Sequence, residues 1–297
     1  MHVFGPDTDP SEVRRAIEAG EHFWVDTPED SFDADHPAAR ALGVTREMLR
    51  RLMAREGRSL AIALEDHASI VFAGAVRRDE RIRRLEVVII AGEQGLVTLR
   101  SEPCAPLDAL RESPREIDAV AVVDALADSL LGIAEQMEDE VEDAENRILQ
   151  TRSRQSLAHI TALRQQVSDL LKIAREQRGM VERSHDELIA VPFRWGDPDR
   201  RVRDLTGHLA RATDAAESTR QTIAEALNLY LSIAAESLTR IATVLLPLTV
   251  VSGFFGMNFT WMVGHIDTFW SFLVFGIGGM VGSVVAVRIY LRRKGYA

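Results

Sequence analysis

Three groups of residues in this chain have the types and spacing to act on a metal ion. Gly256, Met257 and Asn258 stand near the end of a long uncharged run. An amide oxygen there can accept hydrogen bonds from the water shell of a cation without stripping it. That suits Mg²⁺, an ion that dehydrates reluctantly, and Gly256 lets the backbone come close. Seven acids stand among the eleven residues Glu135 to Glu145, on a stretch with helical spacing. Glu135, Glu138, Asp139, Glu142 and Asp143 are the candidates for a regulatory divalent-cation site, against the plainer reading of a solvated helix face. Arg292, Arg293 and Lys294 form a basic tail able to anchor at anionic headgroups.

Other chemistries find few residues to carry them. The eight histidines are scattered with no pair at helical ligand spacing, and no phosphate-binding loop is present, so neither a zinc enzyme nor an ATP-driven machine is expected. Cys104 is the single cysteine, which rules out an intrachain disulfide. The formal charge is −10; with Arg288, Arg292, Arg293, Lys294 and Asp267 set aside, 35 bases and 45 acids become 31 and 44. A surface that acidic repels nucleic acid and attracts cations.

The elements that must position these groups begin with two apolar runs. Ile241 to Gly264 carries no formal charge, a length sufficient to cross a hydrocarbon core, and a second uncharged run extends from Thr268 to Val287. The amino terminus, MHVFGPDTDP, lacks the basic start and apolar run of a signal peptide. The bases follow the second run, whereas the loop between the runs has neither Lys nor Arg. The expectation is a multi-pass protein of the cell membrane with both termini in the cytoplasm and a short outer loop. Two spans cannot enclose a water-filled path, so conduction requires several copies around an axis, each contributing an Asn258.

Before the spans, residues 1–112 read as an α+β cytoplasmic domain. FWVD, LAIAL, SIVFAGAV, LEVVIIAG and GLVTLRS read as strands, the last four at the spacing of an antiparallel meander. Ser11 to Ala19 and Thr45 to Arg55 read as helices, each opened by a hydroxyl residue. Residues 113–240 read as long helices, with apolar stripes at Leu126, Leu130, Ile133, Met137, Val141, Ile148 and at Leu157, Ile160, Val167, Leu170. The spacing predicts two antiparallel helices with a break near Thr151 to Arg154, and a turn at Val191 to Asp199. A single helix follows from about Asp199 to Ser252, roughly 80 Å long. Residues 241–297 form the membrane part.

The run PLTVVSGFFGMNF (Pro247 to Phe259), at the end of the penultimate span with a second span and a basic tail after it, resembles the CorA-type divalent-cation transporters, with the ZntB zinc transporters as close relatives. EQMEDEVEDAE and RVRDLTGHL extend the resemblance backwards. It implies a homopentamer, a cytoplasmic funnel, a pore lined by the first span, and Gly256-Met257-Asn258 as the selectivity filter; on the regulatory reading of the acidic run, Mg²⁺ binding there between subunits would hold the funnel closed. On the pore helix, Thr249, Leu246, Ala242, Thr239, Leu238 and Ala235 share a face with Asn258 and are the pore-lining candidates, the alternative being packing on a neighbouring helix. Arg292, Arg293 and Lys294 become either a positive collar or a lipid anchor.

Departures from the family pattern bear on ion choice. The outer loop reads FTWMVGHID where relatives carry Met-Pro-Glu, and Phe255 stands for the usual Tyr. The expected function is passive Mg²⁺ influx, with cobalt or nickel as further ions. The rivals are zinc transport of the ZntB type, with or without proton coupling, and a membrane-anchored metal sensor that conducts nothing. The expected partners are further copies of the chain, the bilayer and divalent cations.

Overall fold

The computed structural model describes residues 1–54, 59–63, 67–113, 117–151, 154–191, 197–257, 264 and 268–293. Packing divides the chain into two compact units, Met1–Ala226 and Leu227–Ala297.

The first unit is built on a six-stranded sheet: β1 (His2–Phe4), β2 (Phe23–Pro28), β3 (Leu60–Ala63), β4 (His67–Arg78), β5 (Arg81–Gly92) and β6 (Gly95–Arg100), in the order β1-β2-β6-β5-β4-β3. The meander expected of the last four strands is present, β3 to β6 pairing antiparallel in sequence order. The β4–β5 turn is a two-residue loop in which Asp79 and Glu80 both take positive φ, 50° and 56°. That backbone twist matches the twist of paired strands. β2 joins the meander parallel to β6, and β1 joins β2 in parallel. Gly95 makes the β2–β6 approach possible, because a β-carbon there would sit 2.1 Å from the Phe23 carbonyl oxygen.

Helices cover both faces. α1 (Pro10–Glu18), α2 (Pro37–Ala41) and α3 (Arg46–Met53) close one face over a core that includes Phe23, Val25, Val88, Ile90, Val97 and Leu99. Thr45 caps α3 through its hydroxyl oxygen, which accepts from the Met48 N–H at 3.2 Å, as the sequence predicts. The cap of α1 differs from expectation: Asp9, not Ser11, fills it, its carboxylate accepting from the Ser11 N–H at 2.9 Å. Pro10 occupies the first helical turn, where its missing N–H costs nothing.

The opposite face carries α4 (Ala105–Arg111), α5 (Ala119–Thr151) and α6 (Arg154–Arg183). α5 and α6 pack on each other and on the sheet, so no packing boundary falls at 112/113. They bracket the expected break, and Leu126, Leu130, Met137, Val141 and Ile148 on α5 and Ile160, Val167 and Leu170 on α6 are all buried, as the apolar stripes require. α7 (His185–Ile189) leads to α8 (Pro198–Phe255), one helix of 58 residues with Pro247 inside it. Its buried residues run from Val202 to Ala226, after which the apolar side chains become exposed.

Polar contacts fix both α5 and α6 to the sheet. β3 pairs with β4 only as far as Leu60 opposite Val71, so the next outward donor on β4, the Ala73 N–H, has no strand partner on that side. Gln177 of α6, fully buried, supplies its Oε1 at 3.0 Å and donates its Nε2 to the Ser59 hydroxyl at 2.8 Å. On α5, Glu140 accepts from Nη1 and Nη2 of Arg77 on β4, the Nη2 contact being 2.8 Å.

In the second unit, α9 (Phe269–Ser271) passes through a π-helical stretch, Phe272–Ile277, into α10 (Gly278–Arg293). This helix and the end of α8 are each long and apolar enough to cross a membrane. Among its small residues, Gly279 faces α8, where an added β-carbon would meet Val251 at 3.8 Å and Phe255 at 4.0 Å.

Two stability predictions follow from the polar contacts. Gln177→Met leaves the buried Ala73 N–H without an acceptor and costs about 1–3 kcal/mol, read as a lower thermal midpoint of the detergent-solubilised chain. The Arg77 hydrogen bonds hold the Glu140 carboxyl below its ordinary range. A depressed folded pKa gives stability that is present above the unfolded value, about 4.3, and is lost as pH falls through the folded value. Glu140→Gln therefore flattens the acid limb of the unfolding midpoint against pH, while the wild type declines there.

Candidate metal sites

The Gly256-Met257-Asn258 triplet begins where α8 stops. Gly256 N–H donates to the Ser252 carbonyl at 2.9 Å, and Met257 N–H to Phe254 at 3.3 Å, so the last turn tightens as the helix ends. A β-carbon on Gly256 would lie 3.1 Å from the Ser252 oxygen, a contact that favours glycine. Asn258 lies outside the described residues, as do His265, Asp267 and Lys294.

The six pore-lining candidates, Ala235, Leu238, Thr239, Ala242, Leu246 and Thr249, are all exposed within a single chain, Leu246 at 71%. The threonine hydroxyls donate back along the helix, Thr249 to the Leu245 carbonyl and Thr239 to that of Ala235, each at 2.9 Å. With its proton so used, each oxygen presents lone pairs outward. Those are acceptors for the protons of a cation's water shell.

The acidic run does not converge within the chain. Glu135, Glu138, Asp139, Glu142 and Asp143 are exposed along α5, and Glu140 between them is taken up by Arg77. Arg292 and Arg293 are exposed at the end of α10.

The ligand set that does converge lies elsewhere. Asp124 and Asp128, one turn apart on α5, face His208 on α8, and a ligand atom from each lies within 4.8 Å of the others. His208 Nδ1 sits 2.9 Å from a carboxylate oxygen of each, shielded from solvent, yet aligned for a hydrogen bond to neither. Burial raises the Asp124 carboxyl above its usual range, opposed by the imidazole of His208 and reinforced by Asp128. Two carboxylates pressed together beside one imidazole form a set that a divalent cation would relieve, with two hard oxygens and one borderline nitrogen. Cavities of about 320 Å³ and 540 Å³ border the cluster; Asp124 and Arg201 line both.

A family model described as CorA-like Mg²⁺ transporter protein matches residues 20–293. The chain belongs to that family. The cobalt/magnesium transport protein CorA of Thermotoga maritima is 26% identical over 188 residues, 59% of this chain and 50% of that protein. The zinc transport protein ZntB of Yersinia enterocolitica is 26% identical over 157 residues, 50% of this chain and 47% of that protein. The match thus spans about half the length of these two relatives. The complete CorA magnesium transporter from Methanocaldococcus jannaschii shares the fold, with a TM-score of 0.69 over 92% of this chain and 91% of that chain at 17% identity.

Sequence reasoning passes over Asp124, Asp128 and His208 in this CorA-like chain. The i, i+4 spacing of the two aspartates is visible in the sequence, whereas their histidine stands 80 residues further on, by the numbering. Nothing local in RVRDLTGHL connects the two. Asp124→Asn removes one charged ligand and weakens Co²⁺ binding by about tenfold or more, measured by Co²⁺ titration of the full chain. His208→Ala, which leaves the two carboxylates, costs Co²⁺ and Zn²⁺ more than Mg²⁺.

Proposed function

We propose that copies of this chain assemble around an axis into a passive path for divalent cations, with Mg²⁺ the principal ion. The observation that supports it most is the exposed face of α8 from Ala235 to Thr249. It has small residues, leucine side chains and hydroxyl oxygens whose protons are already spent, and it leads to the amide of Asn258. Such a face suits a hydrated ion that keeps its waters. The family resemblance supports a homopentamer, and Gly256, Met257 and Asn258 as the filter.

The apolar helices carry the chain across the membrane, with both termini cytoplasmic and Asn258 outside. Arg292, Arg293 and Lys294 anchor the second span at the inner headgroups or collar the entrance. A charge of +2 moving through 100 mV gains about 4.6 kcal/mol, so influx needs no nucleotide and the protein acts as a channel or transporter, not an enzyme. Metal at Asp124, Asp128 and His208 regulates the path, because α8 carries His208 and the pore face on one uninterrupted helix. The exposed acids Glu135, Glu138, Asp139, Glu142 and Asp143 draw cations toward the protein.

Zinc is the second reading. The imidazole of His208 favours a softer ion than Mg²⁺, and of the relatives one is named for cobalt and magnesium, the other for zinc. Liposome flux with Mg²⁺, Co²⁺ and Zn²⁺, each with and without a pH gradient, separates the readings. The expected result is Mg²⁺ entry that follows the membrane potential, is indifferent to the pH gradient, and is abolished or redirected toward other ions by Asn258→Ala. Flux of Zn²⁺ alone, driven by protons, establishes the zinc reading. No flux of any ion, with metal still bound, establishes a sensor.

A further inference from the structure

We propose that Arg201 is the positioning residue of the Asp124, Asp128 and His208 cluster, holding α8 in register with α5 through Asp118. The inference rests on reading that cluster as a divalent-cation site.

Asp118 is fully buried at the start of α5 and divides its two oxygens between the helices. Oδ1 accepts from the Ala121 N–H at 2.8 Å and caps α5, while Oδ2 takes the Arg201 guanidinium from the first turn of α8. One carboxylate therefore ties the start of α5 to the start of α8. A buried charge of this kind is costly unless paired, so the tie is not easily exchanged for water.

The second tie lies further along the same two helices. Arg201 and His208 are seven residues apart on α8, two turns and about 10.5 Å on one face. Asp118 precedes Asp124 and Asp128 by six and ten residues on α5, about 9 and 15 Å. The imidazole, placed between the two aspartates, falls within that interval only when α5 and α8 run in the same direction with Arg201 opposite Asp118. A slip of one turn, about 5.4 Å, would carry His208 past one aspartate and out of reach of the other. Metal ligands tolerate errors of only about 0.2 Å, so the first tie sets whether the second can close on an ion.

Arg201 has a competing role that the test must separate. Its charge lowers the Asp124 carboxyl and repels an incoming cation. Were that field its main effect, losing Arg201 would tighten metal binding, whereas loss of register loosens it.

The experiment is Co²⁺ binding to the full chain in detergent, followed by titration and by the Co²⁺ d–d absorption. Wild type is compared with His208→Ala, with Arg201→Lys, with Arg201→Gln alone, and with Arg201→Gln combined with Asp118→Asn. The combined variant keeps net charge constant and keeps a side-chain oxygen for the α5 cap. The expected result is a His208-dependent d–d band in the wild type. The combined variant binds Co²⁺ about tenfold more weakly with an altered band, and Arg201→Lys recovers most of the loss. If the combined variant does not fold, Arg201→Gln alone decides by sign, weaker binding supporting the inference and tighter binding overturning it. Wild-type affinity and spectrum in the combined variant overturn the inference while leaving the cation site intact. A wild type with no His208-dependent signal overturns the site and the inference together.

Discussion

Everything in this chain depends on one helix satisfying its own backbone. Within α8, apart from its ends and the position of Pro247, each peptide N–H and C=O finds its partner four residues away, so the same element can lie against a protein core and then continue into a medium that offers no hydrogen bonds. Only the side chains change along the way. From Val202 to Ala226 a stripe of apolar and small residues is buried; from Leu231 onward most leucine, isoleucine and valine side chains are exposed and none is buried. The change of burial without a change of backbone is what makes two compact units out of one continuous helix.

The first unit must hold that helix in a fixed register, and polar contacts supply what apolar burial cannot. Hydrophobic packing of α5 and α6 on the sheet has no direction and tolerates sliding. Gln177 meeting the Ala73 N–H beyond the end of β3, Glu140 meeting Arg77, and Arg84 of β5 gripping Glu176 at 2.6 Å do not. Each leaves a buried or half-buried polar group stranded if the helix shifts by a turn. The Asp118 contact to Arg201 applies the same logic to α8.

Most of the architecture was legible because it rests on periodicity. The meander, the paired helices and the length of α8 follow from spacings of two and of three to four residues, and α5, α6 and α8 appear at the predicted places. The parallel placement of β2 beside β6 was not legible, since it depends on Gly95 leaving room for the Phe23 carbonyl, a contact between strands far apart in sequence. The same limit governs the sites. The acidic run at Glu135 to Glu145 drew attention by its density, yet its carboxylates spread over an exposed helix surface. The sparse trio of Asp124, Asp128 and His208 converges because α5 and α8 bring it together. Charge density is a sequence property, whereas convergence is a property of the fold.

The interior proline of α8 sets one side of the helix apart from the others. Pro247 has no N–H, so the Thr243 carbonyl, four residues earlier, loses its helical donor. The Thr243 hydroxyl does not compensate, because it donates to the Thr239 carbonyl at 2.7 Å. In a hydrocarbon environment that bare carbonyl would cost several kcal/mol, on the order given for an unsatisfied group in lipid. Thr243 lies three and four residues from Leu246 and Thr239, on the same side of the helix as the candidate pore residues. A face that combines an unfulfilled carbonyl with hydroxyl oxygens whose protons are already committed has acceptors to offer and no donors. Lipid cannot answer it, and an apolar neighbour cannot either. Water can, and so can the outward-pointing protons of a hydrated cation, so this is the side of α8 that the proposed aqueous path would use.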